Sequence, residues 1–274
     1  MLSTLRAWLG SSHPGPAFAV TIVTVVLSIG VGLEVWRVIL LGFVMLLNQL
    51  SVGLSNDWID ASRDRAAGRT DKPIATGAIS VGVVRISAWT CFVLAIALAL
   101  PLGVWAFGAQ AIVLISAWHY NAWLKNTPFS VLPFVVSFGL LPAVVTLSLP
   151  TPLFAAWWAL GAGALLGIAA HFANVLPDFE TDRATGIRGL PHRLGARASG
   201  LVIAVSLAAA SALLLWGAPD LLHWVGFAIG VAIATVCVVL VLRGQVSRLL
   251  FRLIIAAALL DVVLLALSGA ALSA

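Results

Sequence analysis

Charged side chains are scarce. Asp, Glu, Lys and Arg together make up 9% of the 274 residues, where a soluble domain carries about 25%. That excludes a water-soluble globular protein organised by ordinary core burial. Acids are scarcer than bases, ten against fifteen, for a net charge of +5. Cysteine is nearly absent. Cys91 and Cys237 both fall in apolar runs, which excludes a disulfide framework and leaves them as small core residues. No low-complexity tail and no separate soluble domain interrupt the chain. What fills the sequence is hydrocarbon: 62% hydrophobic residues and a mean hydropathy of +1.11.

Nine apolar stretches reach spanning length, at about 17–33, 36–55, 82–100, 102–122, 129–148, 153–174, 199–217, 221–242 and 250–272. The expected fold is therefore all-α, a polytopic membrane bundle of about nine transmembrane helices forming one domain over 1–274. Pro101 marks the weakest division, because a proline can kink one helix as well as separate two. No small-residue cleavage site follows the first apolar run, so that run reads as a span. With the N-terminus in the cytoplasm and sides alternating, fourteen of the fifteen Lys and Arg fall on the cytoplasmic side and Arg37 alone outside. That is a positive-inside pattern. The pI of about 10.2 then reflects cytoplasmic loops facing membrane lipids or an anionic substrate, with no nucleic acid as partner.

Against this background two copies of one pattern stand out: Asn56-x3-Asp60-x3-Asp64 and Asn174-x3-Asp178-x3-Asp182, 118 residues apart (174 − 56). Steps of four drift only about 40° around a helix, so each trio shares one face. Stacked carboxylates repel, and acids near hydrocarbon are costly. A chain that builds this twice is expected to need the charge for cations. Carboxylate and amide oxygens are hard ligands, suited to Mg2+, which is commonly bound by one or two carboxylates together with substrate phosphates. Two facing trios could hold two or more Mg2+ ions bridged by a diphosphate, with Lys125, Arg63 and Lys72 neutralising the remaining charge. Pro177, inside the second trio, is expected to bend or end its helix. The bland alternative is that the acids form salt bridges with nearby Arg and cap helix ends.

The segments around these trios resemble the UbiA-type intramembrane prenyltransferase superfamily. The resemblance rests on Asn56-Asp57-x2-Asp60-x3-Asp64, on Tyr120-x4-Lys125, on Asp178-x3-Asp182, and on Gly186 followed by Leu190-Pro191-His192-Arg193-Leu194-Gly195. The Lys72-Pro73 step before Gly77 matches as well. The resemblance implies Mg2+-dependent ionisation of a prenyl diphosphate, followed by attack of an acceptor small molecule on the allylic cation. It implies Asn56, Asp60, Asp64, Asn174, Asp178 and Asp182 as Mg2+ ligands, with the four aspartates and Lys125 as the catalytic set. Arg63, Lys72, Tyr120, Lys125 and Asn126 are the expected substrate contacts. Asn126 departs from the pattern, which often has Arg after this lysine.

A carbocation needs water excluded and gains from aromatic faces, so Trp58, Trp118, Tyr120, Trp123 and Phe172 are candidates for that role, or for an interfacial aromatic belt. His119 and His171 flank the site and are candidate bases. Asp57 is expected to point away from the trio face, and Asp261, deep in the last span, has no partner motif. Gly163 and Gly167 form a small-xxx-small face for close helix packing. The leading expectation is a prenyltransferase with an aromatic or quinone-like acceptor. The alternatives are a terpene cyclase of the same type and a cation transporter with a duplicated acidic site. The expected setting is an integral, multi-pass membrane protein whose site faces the cytoplasm.

Overall fold

A computed structural model describes residues 2–176, 179, 186–243 and 248–273. Among these residues the chain is all-helical, with no strand. Its α-helices are α1 Leu2–Ser11, α2 Pro14–Val31, α3 Val35–Ala66, α4 Val81–Ala99, α5 Val104–Ala122, α6 Leu132–Thr146, α7 Trp157–Val175, α8 Leu190–Leu194, α9 Ala196–Gly217, α10 Leu221–Leu242 and α11 Arg248–Leu267. Among the described residues there are eleven α-helices, against the nine spanning runs expected. The two additions, α1 and α8, are ten and five residues long, too short to register as spanning apolar runs. Among the described residues, six helical stretches are long and apolar enough to cross a membrane: Pro14–Val31, Val35–Ala66, Val81–Leu102, Trp157–Val175, Ala196–Gly217 and Leu221–Leu242.

Local chemistry accounts for the breaks. Helix α2 ends at Gly32, whose φ of 84° places it in the left-handed region, and the following amide, Leu33 N, reaches back to Ser28 O at 3.0 Å. Pro101 separates helices: Leu100–Leu102 forms a single 3₁₀ turn and Gly103 turns the chain at φ 112° before α5 begins. Ser80 caps α4 by accepting from Val83 N at 3.3 Å, and Asp220 caps α10 by accepting from His223 N at 2.9 Å.

Packing follows the small residues. A side chain at Gly163 would collide with Phe138 O, and one at Gly167 with Phe134 O. Helices α6 and α7 therefore meet backbone to backbone, the arrangement expected from the glycine spacing. The outward surface is apolar, with Ile22, Ile39, Ile86, Val104, Trp216 and Leu221 all exposed, as a bilayer solvent permits and water does not.

The 32-residue α3 sets the geometry. Arg37 sits at its start and the acidic trio near its end, so about 35 Å of helix separates them. Arg37 locks the far end of the bundle: its guanidinium pairs with Glu34 at 3.1 Å and donates to Leu102 O at 3.3 Å and Ser148 O at 2.9 Å. The acids cluster at the other end.

Candidate active site

Asn56, Asp60 and Asp64 lie on one continuous helix, as the four-residue steps require. Asp60 and Asp64 are buried, at 6% and 5% exposure. Asp60 makes an ion pair with the Lys125 ammonium, which arrives from the 3₁₀ turn Leu124–Asn126 just beyond α5. It pairs a second time with Arg63, at 2.7 Å, and the same guanidinium lies 3.6 Å from Asp64. Lys125 is itself buried. Burial pulls its ammonium below the ordinary lysine range, and Asp60 beside it only partly offsets that effect.

Asn56 Nδ2 donates to Asn121 Oδ1 at 3.3 Å, and Asn121 Nδ2 donates to Ser55 Oγ at 2.8 Å and Val52 O at 2.9 Å. The end of α5 is thereby fixed against the motif-bearing turn of α3. On its other side α5 meets α7: the Tyr120 ring lies 5.8 Å from His171, edge to face, and 5.1 Å from Phe134. Asn174 is exposed one turn further along α7. The two motif-bearing helices thus flank the same end of α5. Pro177, Asp178 and Asp182, which complete the second motif, lie outside the described residues.

Several expected residues fall elsewhere. Asp57 shares the acidic face: with Asp60 and Asp64 it is spaced i, i+3, i+7, a single helical stripe. It is fully buried, and its Oδ1 takes the Lys72 ammonium at 2.6 Å and His13 Nε2 at 2.9 Å. Lys72 is therefore drawn to Asp57. Trp58 and Trp118 pack edge to face at 6.2 Å, and Trp118 continues to Trp89 at 4.5 Å and Phe92 at 5.1 Å. This cluster braces α3, α4 and α5 together on the back of the motif turn. His119 is exposed, bonded through Nδ1 to Ile115 O at 2.8 Å, and meets Trp123 edge to face. Asn126 is exposed beside Lys125. Asp261 accepts from Ser211 at 2.5 Å and ties α11 to α9.

Two participants escaped sequence reasoning. Ser130 Oγ contacts His171 Nε2 at 3.0 Å and accepts from Leu190 N at 2.8 Å. It docks the segment after the second motif onto the loop that carries Lys125. Gly189 is required at that contact, because a Cβ there would meet Lys125 O at 2.7 Å. The other is His13, a lone histidine before Pro14 with no motif around it.

The donor set suits a hard cation. Two buried carboxylates and an amide stacked on one helical stripe supply only oxygen ligands, the chemistry of Mg2+. Among the described residues, no group of three His, Cys, Asp or Glu converges to hold an ion without help. The stripe offers hard oxygen donors from one side only.

The UbiA prenyltransferase family model matches residues 17–250. The chain is 31% identical over 211 residues to the bacteriochlorophyll synthase 33 kDa chain of Cereibacter sphaeroides, covering 68% of this chain and 66% of that protein, just under two thirds of its length. It is 32% identical over 208 residues to the digeranylgeranylglyceryl phosphate synthase of Methanoregula boonei, covering 69% of each. A solved UbiA homolog from Archaeoglobus fulgidus bound to DMAPP and Mg2+ shares the fold at TM-score 0.74 and 17% identity, over 97% of this chain and 99% of that one. The same homolog bound to GPP and Mg2+ superposes at TM-score 0.72. With its helical bundle, its buried acid–lysine pair and a family match over most of its length, the chain belongs to the UbiA prenyltransferase family.

Proposed function

We propose that the protein is a Mg2+-dependent intramembrane prenyltransferase. It ionises an allylic prenyl diphosphate and passes the prenyl group to an aromatic or quinone-like acceptor. The observation that carries this reading is the buried Lys125–Asp60–Arg63 cluster on the α3 stripe, set at one end of an apolar bundle. Solved relatives of the same fold bind GPP or DMAPP with Mg2+, which supports the donor class. The fold is read as one domain with nine crossings, its site and N-terminus on the cytoplasmic side.

In this reading Asn56, Asp60 and Asp64 from α3, with Asn174, Asp178 and Asp182 from the second motif, hold Mg2+. Bound there, Mg2+ would supply positive charge that favours departure of the diphosphate. Lys125 and Arg63 already stand at Asp60, where they turn toward the diphosphate oxygens and stabilise the charge that builds on the leaving group. Burial of Lys125 keeps that interaction strong, because little water screens it. Lys72 and Asn126 complete the polar contacts to substrate. Tyr120, with Phe134 and Phe172 around His171, offers aromatic faces and excludes water where the cation forms.

The test is incubation of the purified protein with a prenyl diphosphate and Mg2+, first alone and then with an aromatic hydroxy acid or quinol. Diphosphate release with prenylated acceptor is the expected result. A cyclic hydrocarbon without acceptor would establish a cyclase instead. No diphosphate release under any condition would overturn the reading.

A further inference from the structure

Helix α4 turns one face to the bundle and the other to hydrocarbon. Val84, Ala88, Cys91, Ala95 and Ala99 are buried, and Ala88 O accepts from Ser51 Oγ of α3 at 3.0 Å. On the outer side Arg85, Ile86, Trp89, Thr90, Val93 and Leu94 line an open groove of about 420 Å³. Their spacing of i, i+1, i+4, i+5, i+8 and i+9 is a single helical stripe.

One charge sets this groove apart from the rest of the apolar surface. Arg85 is exposed, and among the described residues its guanidinium has no ion pair and no hydrogen bond. Neighbouring cations at the same end are engaged: Arg63 with Asp60, Arg65 with Ile74 O, Arg69 with Asp71 and Lys72 with Asp57. An arginine on a lipid-facing surface is costly unless it reaches a polar partner. Arg85 stands five residues after the Ser80 cap (85 − 80), in the second turn of α4 and at the end of the bundle that carries the acids. From that depth its guanidinium reaches the headgroup layer while its methylenes stay in the groove.

Size and shape agree. The nine residues from Arg85 to Leu94 (94 − 85) rise about 13 Å, against about 15 Å for the hydrocarbon of one leaflet. The wall is fixed: the Trp89 ring lies 4.5 Å from Trp118 and 5.5 Å from Phe92, and Trp118 Nε1 donates to Ser51 Oγ at 2.9 Å. A preorganised wall loses little freedom when a chain lies against it. The lining holds one cation and no carboxylate. A phosphate of net negative charge gains a charge-assisted hydrogen bond there, whereas the ammonium of a zwitterionic headgroup finds no acid to meet.

We propose that the α4 groove binds one anionic phospholipid, its phosphate on Arg85 and an acyl chain along Trp89 and Val93. The bound lipid braces α4 against the Trp118 cluster, and through it the contact of α3 with α5 behind the acidic stripe. The site is independent of the reaction catalysed.

The test is native mass spectrometry of the delipidated protein, titrated with phosphatidylglycerol or phosphatidylcholine of identical chains. Wild type is expected to bind one phosphatidylglycerol about tenfold more tightly than phosphatidylcholine, the worth of one charge-assisted bond. Arg85→Gln should abolish that preference and Arg85→Lys should keep most of it. Val93→Trp fills the groove and should weaken both lipids. Both positions are exposed, thermal melts confirm that each variant folds, and Arg85→Gln carries the test if Val93→Trp does not. Equal affinity of wild type for the two lipids, or an Arg85→Gln variant that binds like wild type, would overturn the site. So would displacement of the lipid by geranyl diphosphate, which would make the groove an entry for the donor. A wild-type dimer that Val93→Trp dissociates would also overturn it, assigning the groove to a second copy of the chain.

Discussion

Replacing Lys125 with methionine keeps most of the side-chain volume and removes the charge. Two consequences follow from the geometry. For stability, losing one partner of a buried pair costs about 3–5 kcal/mol when the other is left alone. Asp60 is not left alone, because Arg63 stays at 2.7 Å. The expected loss is therefore about 1–2 kcal/mol, a modest drop in Tm. For catalysis, a preorganised group facing developing charge in a dry site is worth about 3–4 kcal/mol, or a 10²–10³-fold fall in kcat. The assay is diphosphate release at saturating donor, with a thermal melt on the same preparation. Lys125→Arg adds a pH readout. Burial lowers the Lys125 pKa, so the charged form is lost as pH rises through a value below the usual lysine range, and wild-type rate should fall there. In the same window the unfolded chain holds more protons than the folded one, so stability tied to this residue rises with pH. An arginine stays charged and should abolish the alkaline limb of the rate. A Lys125→Met enzyme with kcat within about threefold of wild type would refute the assignment.

Other expectations are direct. Asp60→Asn and Asp178→Asn, made separately, should each abolish diphosphate release while circular dichroism stays helical; a near-normal rate in either contradicts the two-motif site. Gly167→Leu drives a side chain into Phe134 O and should cost about 1–3 kcal/mol by overpacking, read as a lower Tm in detergent. Arg37→Met removes the clamp on Glu34, Leu102 O and Ser148 O about 35 Å from the acids, so it should lower Tm and leave donor KM unchanged.

Much of the architecture was legible because hydrocarbon and helix period leave few choices. Gly163 and Gly167 announced a close helix contact, though not that α6 would make it, while Pro101 left a kink and a break equally open until the 3₁₀ turn and Gly103 decided it. The placing of Asn56, Asp60 and Asp64 on one helical face needed only their four-residue spacing. Other features had no local signal. Helix α1 is short and only mildly apolar. The pairing of Lys72 with Asp57 depends on how the turn after α3 folds back, and the contact of His13 with Asp57 spans 44 residues. Asp57 was expected to point away because it breaks the four-residue step, yet i, i+3, i+7 is an equally good stripe. Trp58 and Trp118 were candidates for the carbocation site. The Trp58 ring packs on Trp118, and Trp118 in turn on Trp89 and Phe92, an arrangement set by α4, which no motif announces.

The central claim is that both halves of the chain grip metal around one diphosphate. Counting Mn2+, as a stand-in for Mg2+, by electron paramagnetic resonance in the presence of a non-hydrolysable prenyl diphosphate analogue tests it most directly. Two or more ions per chain are predicted, with fewer in Asp60→Asn and, independently, in Asp178→Asn. A count that is unchanged in either variant would contradict the account.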